Sequence, residues 1–175
     1  NVIAPPVAVA AADTSGCPGD TIVLSASGGT TYAWSPPGAL INPTSATPTF
    51  VVTSSRTFIV TVANAFGCTD TDTLVVTANA SPSIWAGADQ TISTPGGSVQ
   101  LGGSGGANYV WSPATGLSCT TCPDPIASPT VTTVYTCTGY SSAGCSRSDN
   151  VTVFVNIVGV DPNQLAGFGI DAIAP

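Results

Sequence analysis

Cys119 and Cys122, spaced as Cys-x-x-Cys and followed by Cys137 and Cys145, form the densest group of reactive side chains in the 175-residue sequence. Four thiolates can hold zinc, but zinc ribbons usually present a second close Cys pair, and the chain has no His to complete a set. Disulfides are the expected chemistry, with Cys17 and Cys68 as the remaining members. A second candidate is Asp70-x-Asp72. Residues two apart on a strand share a face, so these carboxylates would lie side by side. Such a pair suits a weak Ca²⁺ site at a domain end, paired-acid hydrolysis, or simple solvation, and solvation is the expected outcome. Asp13, Asp20, Asp89, Asp124 and Asp149 fall mostly in turns and are read the same way. With no His and no Lys, Ser-His, Cys-His and Ser-Lys nucleophilic pairs are excluded. The chain is therefore expected not to be an enzyme and to carry neither cofactor nor metal.

The aromatic residues lead to the organisation of the chain. Trp34 and Trp111 occupy the same place in a motif written twice: Gly28, Gly29, Tyr32, Trp34, Ser35, Pro36, then Gly105, Gly106, Tyr109, Trp111, Ser112, Pro113. The spacing is 109 − 32 = 77 residues, and without a gap it also aligns Leu24 with Leu101, Phe58 with Tyr135, Gly67-Cys68 with Gly144-Cys145, and Asp72 with Asp149. Two copies of one domain are predicted, 1–79 and 80–157, followed by an apolar tail or linker, 158–175. The repeated position on a central strand makes Trp34 and Trp111 core residues rather than sugar-stacking platforms. Trp85 has no aromatic at its matched position, Ala8, and is expected to pack between domains or to form an exposed contact. Tyr140, in the loop before Gly144-Cys145, is a second exposed-contact candidate.

The elements that would position these residues are strands. Thr21 to Ser27 alternates, with Ile22 and Leu24 on one side, and ends at Gly28-Gly29, a hairpin signal. Tyr32 and Trp34 share a face of the next strand, after which 35–48 is rich in Pro, Gly, Ser and Thr and runs as a surface loop. Thr49 to Thr53, Thr57 to Ala63 and Leu74 to Ala78 are alternating runs rich in β-branched residues. No capped helical period occurs. The prediction is an all-β chain of two tandem immunoglobulin-like β-sandwich domains, about seven strands each.

Domains of this size bury only about 60% of their unfolded surface, so covalent staples carry much of the stability. Six cysteines allow fifteen pairings. Cys17 with Cys68 spans the first copy, Cys137 and Cys145 flank a hairpin-like connection, and Cys119 closes on Cys122. Thr94 stands where Cys17 maps, and Cys137 stands where the first copy has Val60.

A net charge of −7, with Ser and Thr supplying the polar surface, makes nucleic acid and anionic membrane poor partners. No run reaches the roughly 18 apolar residues of a membrane span. The absence of an initiator Met and of a basic, signal-type segment points to a processed or excised piece. Both ends are apolar: Val2, Ile3, Val7 and Val9 at one, Leu165, Phe168, Ile170 and Ile173 at the other. Either end could add a strand to the open edge of a neighbouring subunit, and a head-to-tail contact of that kind propagates.

Gly87-Ala88-Asp89-Gln90-Thr91-Ile92, Gly105-Gly106, Tyr109-Val110-Trp111-Ser112-Pro113, Gly116-Leu117-Ser118, Cys119-Thr120-Thr121-Cys122-Pro123, Ser128-Pro129, Thr133-Val134-Tyr135 and Gly144-Cys145 together closely resemble the Ig-like or PKD-like repeats of large Bacteroidota surface proteins, of which gliding-motility adhesins are the best-known carriers. In that family the turn at 94–97 often carries a Cys that pairs with the Gly-Cys element. Thr94 departs from this, which fits a rerouted bridge between Cys137 and Cys145. The tail, from Val158 to Pro175, is similar to the approach to a type IX secretion sorting domain, whose removal at the cell surface the resemblance implies. Asp20-Thr21-Ile22 and Asp72-Thr73-Leu74 match the short Bacteroidota O-glycosylation pattern, which makes Thr21 and Thr73 glycosylation candidates beside plain strand alternation.

The expected function is that of a secreted structural or adhesive protein, a cell-surface or filament-forming subunit assembling through its apolar ends. The alternatives are a spacer or adhesin repeat of a larger surface protein, and a carbohydrate-binding appendage of a secreted enzyme, for which Trp85 and Tyr140 are the candidate aromatics. Partners are further copies of the chain in a head-to-tail polymer, or surface proteins and glycans, without nucleic acid or membrane insertion.

Overall fold

A computed structural model describes residues 4–156. Among these residues every regular element is a strand, apart from one 3-10 turn at Pro37–Ala39. The first repeat contains β1 (Val9–Ala10), β2 (Thr14–Gly16), β3 (Thr21–Val23), β4 (Ala26–Ser27), β5 (Thr31–Ser35), β6 (Leu40–Ile41), β7 (Thr49–Val51), β8 (Arg56–Ala63) and β9 (Thr69–Ala78). One sheet runs β2-β9-β8-β5 and the other β3-β7-β6, with β1 paired to β4. All pairs are antiparallel except β2 with β9, which is parallel. The leading segment therefore changes sheets, β1 lying beside β4 and β2 beside the last strand. Four strands against three, joined in this order, make an immunoglobulin-like sandwich.

The second repeat contains β10 (Gln90–Ile92), β11 (Val99–Gln100), β12 (Asn108–Ser112), β13 (Ile126–Ala127), β14 (Thr133–Tyr140) and β15 (Ser146–Val155). Its large sheet has the matching order β10-β15-β14-β12, again with the first strand parallel to the last. The opposite sheet is reduced to β11-β13, extended by single bridges at Trp85–Ser104 and Leu117–Ala127. The chain is thus all-β, a tandem pair of immunoglobulin-like sandwiches.

Alternation selects the core. In β8, Phe58, Val60 and Val62 point inward, joined by Leu24, Trp34, Phe50, Val52, Leu74 and Val76. The Phe50 and Phe58 rings meet edge to face at 5.0 Å between centroids, a favoured aromatic geometry. In β14 the inward set is Tyr135, Cys137 and Gly139, and the second core adds Ile92, Leu101, Trp111, Val151 and Val153.

The gapless 77-residue offset does not extend to the leading strands. β2 pairs Thr14 with Val76 and β10 pairs Gln90 with Val153, so the last strands are 153 − 76 = 77 apart but the first strands are 90 − 14 = 76 apart. The following turns, closed by Asp20 N–H to Cys17 O and Gly97 N–H to Thr94 O, are again 77 apart. Ser93 is therefore one extra residue between strand and turn. Trp85 consequently matches Val9 rather than Ala8: Val9 pairs with Ser27, and Trp85 bridges Ser104.

By its internal contacts the chain divides into one unit reaching Pro82 together with Tyr140–Arg147, and a second made of Ser83–Gly139 and the chain from Ser148. The break thus falls three residues beyond the expected position at 79. Tyr140–Arg147, which the repeat places in 80–157, clusters with the first unit. The tail 158–175 lies outside the described residues.

Candidate functional site

The repeated Gly-Gly-x-x-Tyr-x-Trp-Ser-Pro motif is a fold-making device, and each of its residue types has a physical reason. Gly28 and Gly105 sit at φ 104° and 85°, in the region that favours glycine. A Cβ at Gly28 would strike the carbonyl oxygen of Val7, and one at Gly105 that of Ser83. Both glycines are thus required by the close passage of the incoming first strand. Tyr32 reaches back to donate to Gly29 O at 3.0 Å, and Tyr109 does the same to Gly106 O at 2.9 Å. Trp34 and Trp111 are buried, at 3% and 2% exposure, so neither is a ligand platform. Each indole Nε1–H needs a partner in the core and finds a loop carbonyl at 3.0 Å, that of Ser45 or of Cys122.

The aspartates are not simply solvated. Because the first segment changes sheets, it leaves main-chain donors without a strand partner, and carboxylates take their place. Asp70 Oδ2 accepts from Ala8 N–H at 2.9 Å and Asp72 Oδ2 from Ala10 N–H at 2.8 Å. Asp72 Oδ1 accepts a further bond from Thr73 N–H at 2.8 Å, and these two donors hold its carboxyl below the usual carboxylate range. Asp149 repeats the Asp72 contact on Ala86 N–H at 2.9 Å, whereas Arg147 stands at the position matching Asp70. Asp13 and Asp89 complete the latch from the opposite direction, accepting from Val75 N–H at 2.8 Å and Thr152 N–H at 2.7 Å on the last strands. Asp20 accepts from Cys17 N–H at 2.7 Å within its turn. An Asp just before the leading strand and another in the last strand recur in each copy, and that recurrence is the sequence signal for this role. Among the described residues no group of three or more His, Cys, Asp or Glu side chains is placed to hold a metal ion. The same residues contain no helix long and apolar enough to cross a membrane.

The cysteines pair differently from the expected Cys17–Cys68 and Cys137–Cys145. Cys17 is bonded to Cys145, 128 residues away, and this bond accompanies the clustering of Tyr140–Arg147 with the first unit. Cys119 is bonded to Cys122. Cys68 and Cys137 are free thiols. Cys137 cannot bridge to Cys145 across the hairpin, because strand alternation turns it into the core beside Gly103 and Trp111. Burial, with the nearby Asp149 carboxylate adding to it, pushes the Cys137 thiol up to about 11, so it stays protonated and inert.

The remaining candidates divide by exposure. Trp85 is 59% exposed at the position of Val9, itself 51% exposed. Tyr140 ends β14 and is half-buried rather than presented on an open loop. Thr21 and Thr73 are exposed on β3 and β9. Val7 and Val9 expose their side chains, but the main chain of β1 is already paired with β4 and latched by Asp70 and Asp72, so donating this strand to a neighbour would break those bonds. Val2, Ile3, Leu165, Phe168, Ile170 and Ile173 lie outside the described residues.

No protein-family model and no curated protein matches the chain. Among solved structures it is similar to the insect immune protein hemolin, at 15% identity and a TM-score of 0.48, over 86% of this chain and 47% of hemolin. The chain thus spans about half the length of that protein. It is also similar to the Ig1 and Ig2 domains of DIP-gamma, at 10% identity and a TM-score of 0.43 over 89% of this chain and 99% of that one. The N-terminal Ig1-2 module of the Drosophila receptor protein tyrosine phosphatase DLAR aligns at 11% identity and a TM-score of 0.35, over 88% of this chain and all of the module. At these scores the likeness is one of strand architecture and transfers neither partner nor activity.

Proposed function

We propose that the chain is a non-enzymatic structural and adhesive module of a secreted or cell-surface protein. The observation that supports this most is the use to which its reactive side chains are put. Six aspartates bind main-chain N–H groups of their own sandwich, the motif tryptophans are buried, and four cysteines are consumed in disulfides, which persist in oxidising compartments. The resemblance of the repeats to Bacteroidota surface proteins supports the same placement. In this reading the chain reaches the surface by type IX secretion, Thr21 and Thr73 are available to glycosylation, and filaments form head to tail through the C-terminal apolar segment containing Leu165, Phe168, Ile170 and Ile173. Strand donation from Val7 and Val9 has no part in it, because that strand is paired at home.

Negative-stain electron microscopy of native extracellular material, with mass spectrometry to identify this chain as its main component, tests the proposal. Regular fibres, lost on deletion of Leu165 to Pro175 while the sandwiches stay folded, are the expected result. Isolated particles in both samples would reject the filament and leave an adhesin repeat or spacer.

A further inference from the structure

Cys68 and Cys145 occupy the same place in the two repeats, yet only Cys145 is bonded. Their hairpin tips are built alike. In the first, Gly67 N–H donates to Asn64 O at 3.0 Å, Asn64 N–H to Cys68 O at 3.0 Å, and Cys68 N–H to Asn64 Oδ1 at 3.0 Å. In the second, Gly144 N–H donates to Ser141 O at 2.9 Å, Ser141 N–H to Cys145 O at 2.8 Å, and Cys145 N–H to Ser141 Oγ at 3.2 Å. The tip glycines adopt φ 82° and 83°. The first tip is therefore preset in the conformation that, in the second, carries a disulfide to a cysteine in the turn after β2. Two residues before Cys68 the first tip exposes Phe66 at 72%, a large apolar side chain where the second tip has Ala143. No other cysteine of the chain is free to serve Cys68, since four are bonded and Cys137 is buried.

We propose that Cys68, with Phe66 two residues before it, is a covalent docking point for another domain of this same type, one that carries a cysteine at the position Cys17 holds here. Cys17 bonded to Cys145 is one link of a series, and Cys68 is an open link of the same kind. In the second repeat Thr94, in a turn closed like that of Cys17, ends the series. The bond forms when the Cys68 thiol and the incoming thiol each give up a proton and together pass two electrons to an oxidised disulfide donor such as glutathione disulfide, which leaves as two thiols. The donor domain belongs either to the same polypeptide or to another chain. This inference is independent of the apolar terminal segments, so the filament and the covalent link can fail separately.

Restoring the missing turn cysteine with Thr94→Cys in the full chain makes each copy both donor and acceptor. In a glutathione redox buffer this variant is expected to give a ladder of dimers, trimers and higher multimers on a non-reducing gel. The ladder should collapse on reduction and be absent from the Thr94→Cys, Cys68→Ser double variant and from wild type. No ladder from a variant that retains the Cys17–Cys145 peptide, or an equal ladder from a cysteine placed at exposed Thr132, would overturn the proposal. Native material trapped with N-ethylmaleimide provides a check that needs no variant. Cys68 is expected in a disulfide with a turn-type cysteine peptide, within one polypeptide if non-reducing mobility matches a single chain and between chains if it does not. Recovery of Cys68 as the alkylated thiol overturns the proposal whatever the variant does.

Discussion

The two repeats close the same loop beneath the same tryptophan by different bonds. In the first, the turn from Asn42 to Ser45 is held by Ser45 N–H to Asn42 O at 3.0 Å, with Asn42 at φ 59°. In the second, the matching residues are Cys119 and Cys122, and a disulfide performs the closure. Above the loop nothing changes. Trp34 N–H donates to Pro43 O at 2.9 Å, and Trp111 N–H to Thr120 O at 2.7 Å. The cores differ in a comparable way. The first has small Ala8 on the leading strand and Val62 in β8, both in one buried cluster. The second places Ile84 there against Gly139, where an added Cβ would strike the Ile84 side chain. Volume is moved from one strand to its neighbour and the total stays similar, the kind of exchange a close-packed core tolerates. What the two copies share is the hydrogen bonds of the tyrosine and the tryptophan and the close passage of the main chain at the first glycine. The filling around that set is negotiable.

Four experiments test how far the two copies are equivalent. The largest effect is expected where the copies differ in cross-linking. Replacing Cys17 and Cys145 together by Ser should cost about 5 kcal/mol by loop entropy, for a separation of 128 residues. Replacing Cys119 and Cys122 should cost only about 2 kcal/mol. Urea unfolding measures both, and equal costs would mean that the short bridge does more than close its loop. Next, Trp34→Ala and Trp111→Ala should each lose about 3–5 kcal/mol, a cost shared by both copies because both indoles are buried and hydrogen-bonded. A markedly smaller loss in one copy would show that its loop collapses into the space. Gly28→Ala and Gly105→Ala should each cost more than about 1 kcal/mol, combining positive φ with the carbonyl overlap. A neutral result at either position would separate that copy's first strand from its motif.

The smallest effect at neutral pH is Cys137→Val, which gives the second copy the residue of the first. The folded-state thiol is raised from 9.0 to about 11, so folding is unaffected below the unfolded value and stability is lost as the pH rises from about 9 toward 11. Tyr135, also pushed up by burial, adds to the same alkaline loss. Cys137→Val should match wild type at pH 7 and lose less at pH 10. A wild-type alkaline slope unchanged by the substitution would place the titration elsewhere, with Tyr135→Phe as the comparison.

Much of the fold was legible because it is written locally. Alternation in Thr57 to Ala63, the Gly-Gly turn and the repeated Trp name strands and inward faces without knowledge of any partner. The one-residue shift at Ser93 was hidden because turns absorb an insertion without disturbing the residue types on either side. The role of Asp70 and Asp72 was hidden for a related reason. Their partners are main-chain donors 62 residues away, and a main-chain N–H has no letter in the sequence.

Cysteine pairing marks the division most clearly. The all-β class, the tandem repeat, the burial of Trp34 and Trp111, and the exclusion of His- and Lys-based nucleophile pairs were all readable from the sequence, because each follows from residue type and spacing along the chain. That Cys145 reaches Cys17 while Cys68 stays unpaired came from the tertiary structure alone, because a disulfide requires two Cα atoms within about 7 Å of each other. That distance is a property of how strands stack, and it leaves no trace in the spacing of cysteines along the chain.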